Sequence, residues 1–149
     1  MEKLLKLGIA TIVSIFVLLS CKSVQIPVST SQATPEIIEK RWKLVELNGE
    51  EIKQEGQHKE VYFILHREDK RISGNGGCNS FSGAYTLSEE GRISFSSIIS
   101  TMMACPDMEI ETRLLKVLEM TDNYTLKDNT LSLNKARMAP LAKFALSEQ

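Results

Sequence analysis

Read as a pattern of apolar and polar positions, the chain falls into three regimes. Residues 7–19 form an apolar run broken only by Gly8, Thr11 and Ser14. Residues 22–40 are rich in Ser, Thr, Gln and Pro and hold no sustained period. From about residue 41 short alternating segments set in. Trp42, Leu44 and Leu47 lead into the turn dipeptide Asn48-Gly49, and residues 61–66 (VYFILH) are the most β-prone run in the chain. Residues 71–75 face that run across a charged turn at 67–70. Residues 83–87 and 92–98 follow on either side of Glu89-Glu90-Gly91, with Ile93, Phe95 and Ser97 expected on one face. Residues 123–127 and 130–134 flank Asp128-Asn129, and 141–146 set Ala142, Phe144 and Leu146 on one face behind Pro140. Period-two alternation of this kind marks strands with one side buried.

The period changes once. Ile110, Leu114, Val117 and Leu118 recur at three- and four-residue spacing, so 106–120 is expected to be an amphipathic helix. Pro106 suits its first position, where an amide hydrogen has no partner, and Asp107, Glu109 and Glu111 put negative charge at the positive end of the helix dipole. About eight short strands and one helix, joined by hairpin-length links, predict a mainly β (α+β) fold. Its expected form is a curled antiparallel sheet, or partly open barrel, with the helix across one opening.

The apolar run at 7–19 follows Lys3 and Lys6, is short for a membrane span, and fits an export signal. It ends in Leu18-Leu19-Ser20-Cys21, which resembles a bacterial lipobox, with cleavage after Ser20 and lipid on Cys21. The expected division is therefore a signal peptide at 1–20, a lipidated Cys21 with a flexible tether at 21–40, and one domain at 41–149. Pro35-Glu36-Ile37-Ile38 could seat a short turn on that domain. Loss of two lysines and one glutamate with the signal takes the formal charge from −1 to −2, which is no nucleic-acid footprint. Attachment would rest on acyl chains at about 0.8 kcal/mol per buried methylene. Lys22 leans toward the outer membrane, facing the periplasm, by resemblance to familiar lipoproteins.

With Cys21 spent on lipid, Cys78 and Cys105 remain as an even pair in an oxidising compartment. Bridged, they close a loop that contributes about 3.6 kcal/mol on the chain-entropy estimate. Unbridged, they are two reduced core thiols, and spacing alone leaves both readings open. The stretch 73-SGNGGCNSFSGAYTLS-88 runs into a strand and not a helix, which argues against a phosphate loop and for a tight corner. Met102, Met103, Cys105 and Met108 crowd together, and thioether with thiolate suits Cu(I). Adjacent methionines on a strand point to opposite faces, however, and methionine is ordinary core filler, so no metal site and no cofactor are expected.

The same residues carry a family resemblance. Ile72-x-Gly74-x-x-Gly77-Cys78-Asn79-x-Phe81-x-Gly83-x-Tyr85, followed by Thr101-x-Met103-Ala104-Cys105, resembles the META domain family, the HslJ-like small bacterial envelope proteins. Trp42-x-Leu44, Glu111, Leu118, Tyr124, Leu131-x-Leu133 and Phe144 fall where that family's pattern expects them. Leu115, where an aromatic is common, and Asp128-Asn129, where a glycine turn is usual, depart from it. The resemblance implies a compact antiparallel β fold with one helix and an envelope role, linked in some relatives to heat shock and tolerance of toxic compounds, without an established reaction. Gly74, Gly77, Asn79, Gly83, Tyr85, Thr101 and Met103 are the motif positions, with Gly74, Gly76 and Gly77 expected to supply backbone freedom at a covalently tied corner.

No catalytic inventory stands out. His58 sits in a polar loop, His66 at a strand end, and Glu89-Glu90 in a turn where the two carboxylates splay apart; no recognised nucleophile, zinc or triad motif occurs. The expectation is a non-catalytic, membrane-anchored envelope lipoprotein acting as a stress- or envelope-associated binding module. Its partners would be the membrane and a hydrophobic ligand or envelope protein. Ile110, Leu114, Val117 and Leu118 are the candidate cleft lining, with a plain core seam as the competing reading. A purely structural module, and a hydrolase with a dispersed site, are the alternatives.

Overall fold

The computed structural model describes residues 36–53, 55 and 59–147. The expected signal peptide, Cys21, most of the tether and His58 lie outside them. Nine strands run in chain order: β1 (Arg41–Leu47), β2 (Glu50–Glu51), β3 (Tyr62–Leu65), β4 (Arg71–Asn75), β5 (Ser80–Ser88), β6 (Arg92–Ser100), β7 (Asn123–Lys127), β8 (Thr130–Asn134) and β9 (Ala142–Ser147). One α-helix among the described residues, α1 (Glu109–Met120), lies between β6 and β7. The ninth strand beyond the expected eight is β2, the two-residue return of the Asn48-Gly49 turn.

Every strand pairing is antiparallel, in the order β2-β1-β3-β4-β5-β6-β7-β8-β9, and β1 also pairs with β9, which curls the sheet back on itself. It stops short of a full barrel at one joint. β6 and β7 share a single register pair, Arg92 with Asn123, and α1 packs against β6 and β1. The helix thus covers apolar surface that a fuller β6–β7 ladder would otherwise cover.

The inward faces of the strands meet in one core. Phe63 and Phe144 stack edge to face at 4.7 Å between ring centroids, beside Trp42, Leu44, Leu131 and Leu133, all buried. From α1, Leu114, Val117 and Leu118 are buried with them, each contributing about 1.5–3 kcal/mol by leaving water. Packing begins before residue 41, in the turn at 36–39. Ile37 and Ile38 are buried in the same core, and the Ile37 carbonyl accepts a 2.9 Å hydrogen bond from Trp42 Nε1.

Two sequence expectations are corrected here. Ser97 does not share a face with Ile93 and Phe95. Between the pairs Ser82/Ile99 and Ala84/Ser96 the register shifts, so Ser97 and Ile98 together oppose Gly83. This is a bulge, with Ser97 in the left-handed region at φ 53° and its side chain exposed. Any side chain at Gly83 would collide with Ile98 Cδ1 and Ser96 O. Second, the helix starts at Glu109, not Pro106, with Met108 at its non-helical cap. Cys105 is held elsewhere, as described below, so the chain must first turn through 106–108. The Asp107 carboxylate accepts the Glu109 amide hydrogen at 3.0 Å in that turn.

Candidate functional site

The glycine-rich stretch ends at a corner where β4 passes into β5. Asn75 Oδ1 accepts the Gly77 amide at 2.8 Å, and the Asn79 carbonyl accepts the Gly76 amide at 2.8 Å, which closes the turn on itself. Gly77 alone of this cluster needs glycine's backbone range, with φ 109°. At Gly74 and Gly76 the requirement is space, not freedom. A Cβ at Gly74 would strike Tyr62 O and the Phe81 ring, and one at Gly76 would sit 2.6 Å from Glu111 Cγ.

Asn79 is the hub, with no exposed surface. Its amide N–H and Nδ2 donate to the two oxygens of Glu111 at 2.7 and 2.9 Å. Its Oδ1 accepts from Thr101 Oγ1 and from the Met103 amide, both at 2.8 Å, while Nδ2 also donates to the Met103 carbonyl at 3.1 Å. One asparagine side chain therefore brackets the main chain of Met103. Two residues on, Cys105 is joined to Cys78 by a disulfide across a Cα separation of 6.2 Å, so both ends of 101–105 are fixed. Thr101, Met103, Asn79 and Gly77 are brought together at this corner. Gly83 and Tyr85 serve elsewhere on β5. Tyr85 is buried, its hydroxyl donates to the His66 carbonyl at 3.0 Å, and burial pushes its phenol above the ordinary range.

Glu111 has a different role from the one its position suggested. Its place in the first turn suits the helix dipole, yet it is 4% exposed and faces the corner. The signal was present: Glu111, Leu114 and Leu118 share one helical stripe, and the acidic member of a buried stripe needs a buried donor. Among the described residues, every buried side-chain nitrogen and oxygen has a hydrogen-bond partner.

The expected cleft lining is corrected by the same helix. Leu114, Val117 and Leu118 are sealed in the core and Ile110 packs against it, so this stripe is the core seam. A groove of about 640 Å³ opens on the next face of α1. Its walls are Thr101, Met102, Met103 and Ala104 on one side and Met108, Thr112, Leu115 and Lys116 on the other, with Glu111 and Glu119 also contributing. Met102 is 97% exposed and Met103 48%, so neither is core filler. Nor do they alternate, because β6 ends at Ser100 and both line one groove. A smaller hollow of about 180 Å³ lies by Thr86, Arg92 and Asp122. There Asp122 is tied to the Ala136 amide at 2.8 Å, a contact that, with Asn123, holds its carboxyl below the usual range.

One convergence was not foreseen. His66 Nε2 lies 2.7 Å from Ser73 Oγ, and Nδ1 lies 4.0 Å from Glu39 Oε2, the order of a nucleophile, base and carboxylate. The 4.0 Å gap is too long for the hydrogen bond that would fix the imidazole tautomer. Glu39 instead accepts the Arg67 amide at 2.6 Å. Ser73 is on a strand paired on both sides, and none of the three lines either hollow described above.

Comparison with known proteins agrees with this architecture. No curated protein matches the sequence. A protein solved by NMR is similar at 25% identity, covering 76% of this chain and 94% of its own, with a TM-score of 0.59. An NMR structure of a protein from Burkholderia xenovorans is 22% identical over 76% of this chain and 85% of its own, at a TM-score of 0.62. The crystal structure of a DUF4847 family protein from Bacteroides vulgatus ATCC 8482 shares the fold at 14% identity, over 76% and 96% of the two chains, at a TM-score of 0.52. The family model described as the META domain matches residues 35–148, the span that holds the curled sheet, the Asn79 corner and α1, and the chain belongs to the META domain family.

Proposed function

We propose that this chain is an envelope lipoprotein whose META domain is a non-catalytic module binding a small apolar ligand in the groove beside α1. The observation that carries the reading is the contrast in packing: the core is sealed, while Met102 and Met103 stay open on one concave face that the half-buried Leu115 also lines. Its volume falls in the range of small-molecule sites, about 300–1,000 Å³. Methionine walls adapt to ligands of irregular shape, and Lys116, Glu119 and Thr112 give polar anchors at the rim. Anchoring rests on the sequence alone: a lipid on Cys21 with a short polar tether would hold the domain near the membrane, most simply the outer membrane on its periplasmic side.

The test is native mass spectrometry of the chain isolated from the envelope, joined to a fluorescence titration with N-phenyl-1-naphthylamine. A co-purifying lipid and a saturable signal lost in Met102→Asp, with stability unchanged to within about 0.5 kcal/mol, are expected. A bare mass with no saturable signal would favour the second reading, a module acting through protein contacts, for which the 97% exposed Met102 is the anchor. Cys21→Ser should move the protein from the membrane to the soluble fraction. Fluorophosphonate probes should leave Ser73 unlabelled; labelling there would favour a hydrolase instead.

A further inference from the structure

Four sulfur-bearing residues fall within seven positions, Met102, Met103, Cys105 and Met108. The structure sorts them by chemistry. Cys105 is consumed by its bond to Cys78 and offers no thiolate. The three methionines line one groove, two from the segment that Asn79 clamps and one from the residue that caps α1. We propose that Met102, Met103 and Met108 form a three-thioether site for a soft monovalent cation, Cu(I).

Neutral thioethers are poor ligands for hard cations and good ones for Cu(I), so the donor set selects the metal. Hard and borderline ions find no rival set, for among the described residues no group of three or more His, Cys, Asp or Glu could hold a metal. The backbone of one wall is fixed at Met103 by Asn79 and at Cys105 by the disulfide, and Met108 directly precedes α1, so the ion has little chain to order. The side chains themselves are flexible enough to close on it. The Glu111 carboxylate is spent on Asn79, and Glu119 and Lys116 put one charge of each sign on the lining, so the thioethers are the donors left to an ion. The ion binds already reduced, so no electron transfer is involved.

Leucine removes the sulfur of each side chain while keeping its apolar bulk. The whole chain in detergent, disulfide intact, is titrated anaerobically with Cu(I) kept reduced by ascorbate, in competition with bathocuproine disulfonate. One equivalent should bind, each single Met→Leu change should weaken it by about tenfold or more, and the triple Met102→Leu, Met103→Leu, Met108→Leu variant should bind none. That triple variant should retain its urea midpoint, which separates loss of the site from loss of the fold. Ag(I), a redox-inert analogue, should shift the methyl carbon resonances of these three methionines among the six in the chain. No binding by the native chain, undiminished binding by the triple variant, or Ag(I) shifts confined to other methionines would each overturn the site.

Discussion

The corner at Asn79 and the groove lip at Met102 are neighbours with opposite characters. Asn79 is fully buried and every polar atom of its side chain is engaged. Met102 is almost wholly exposed. Met103 belongs to both: its main chain is held by Asn79, and its side chain is half open to the groove. The difference teaches what the motif does. Gly-Cys-Asn and Met-Ala-Cys together clamp the main chain of the groove wall through Asn79 and the disulfide.

The clamp should therefore be the costliest place to cut. Replacing Cys78 and Cys105 by serine should cost about 3.6 kcal/mol, the entropy of closing a loop with a sequence separation of 27. Two thiols open to alkylation in freshly isolated native protein would contradict the bridge itself. Asn79→Ala leaves the Glu111 carboxylate short of one side-chain donor and strands the Met103 amide and the Thr101 hydroxyl. Only the Glu111 carboxylate among these is buried, and at about 1–3 kcal/mol for a buried group left unsatisfied the loss should be on the order of 2 kcal/mol by urea unfolding. A loss below about 1 kcal/mol would mean that water replaces Asn79 freely and that the corner is no clamp.

Away from the corner the expected effects shrink. Glu60 accepts Arg41 Nη2 at 2.6 Å and Lys43 Nζ at 3.0 Å, and Arg41 above all holds its carboxyl below the ordinary value. A depressed carboxyl adds stability above its unfolded pKa and loses it as the pH falls through the folded one. Glu60→Gln should thus cost less than about 1 kcal/mol at neutral pH. Its difference from the native chain should fade in acid, once both states bind the proton. A cost that persists at low pH would point to packing against the Tyr62 ring, over which Arg41 lies at 3.4 Å.

Much of the sheet was legible because alternation and turn chemistry agree there. The 71–75 strand matches β4, and 123–127 with 130–134 match β7 and β8 around Asp128, which takes φ 45° where glycine would be usual. The bulge at Ser97 was not legible, since nothing in RISFSSI marks where one residue will be skipped; the missing Cβ at Gly83 across the ladder permits it. The helix start moved because a tertiary bond, Cys78 to Cys105, overrides the local preference of Pro106 for a first turn. The groove was hidden for a related reason. Apolar periodicity finds the face of α1 that is buried, and Leu115 and Met108 lie off it, facing a wall that only the Asn79 clamp puts in place. The Ser73–His66 contact needed the β3–β4 register, and Glu39 needed the turn at 36–39 to dock.

The central claim is that a fixed corner carries a methionine-walled binding face. Methyl-labelled methionine NMR of the disulfide-bonded chain, titrated with N-phenyl-1-naphthylamine, tests it directly. Met102, Met103 and Met108 should shift together and saturate, with Met120 and Met138, which do not line the groove, unmoved. Saturable shifts at Met120 or Met138 with the groove methyls still, or no shifts at all, would contradict it.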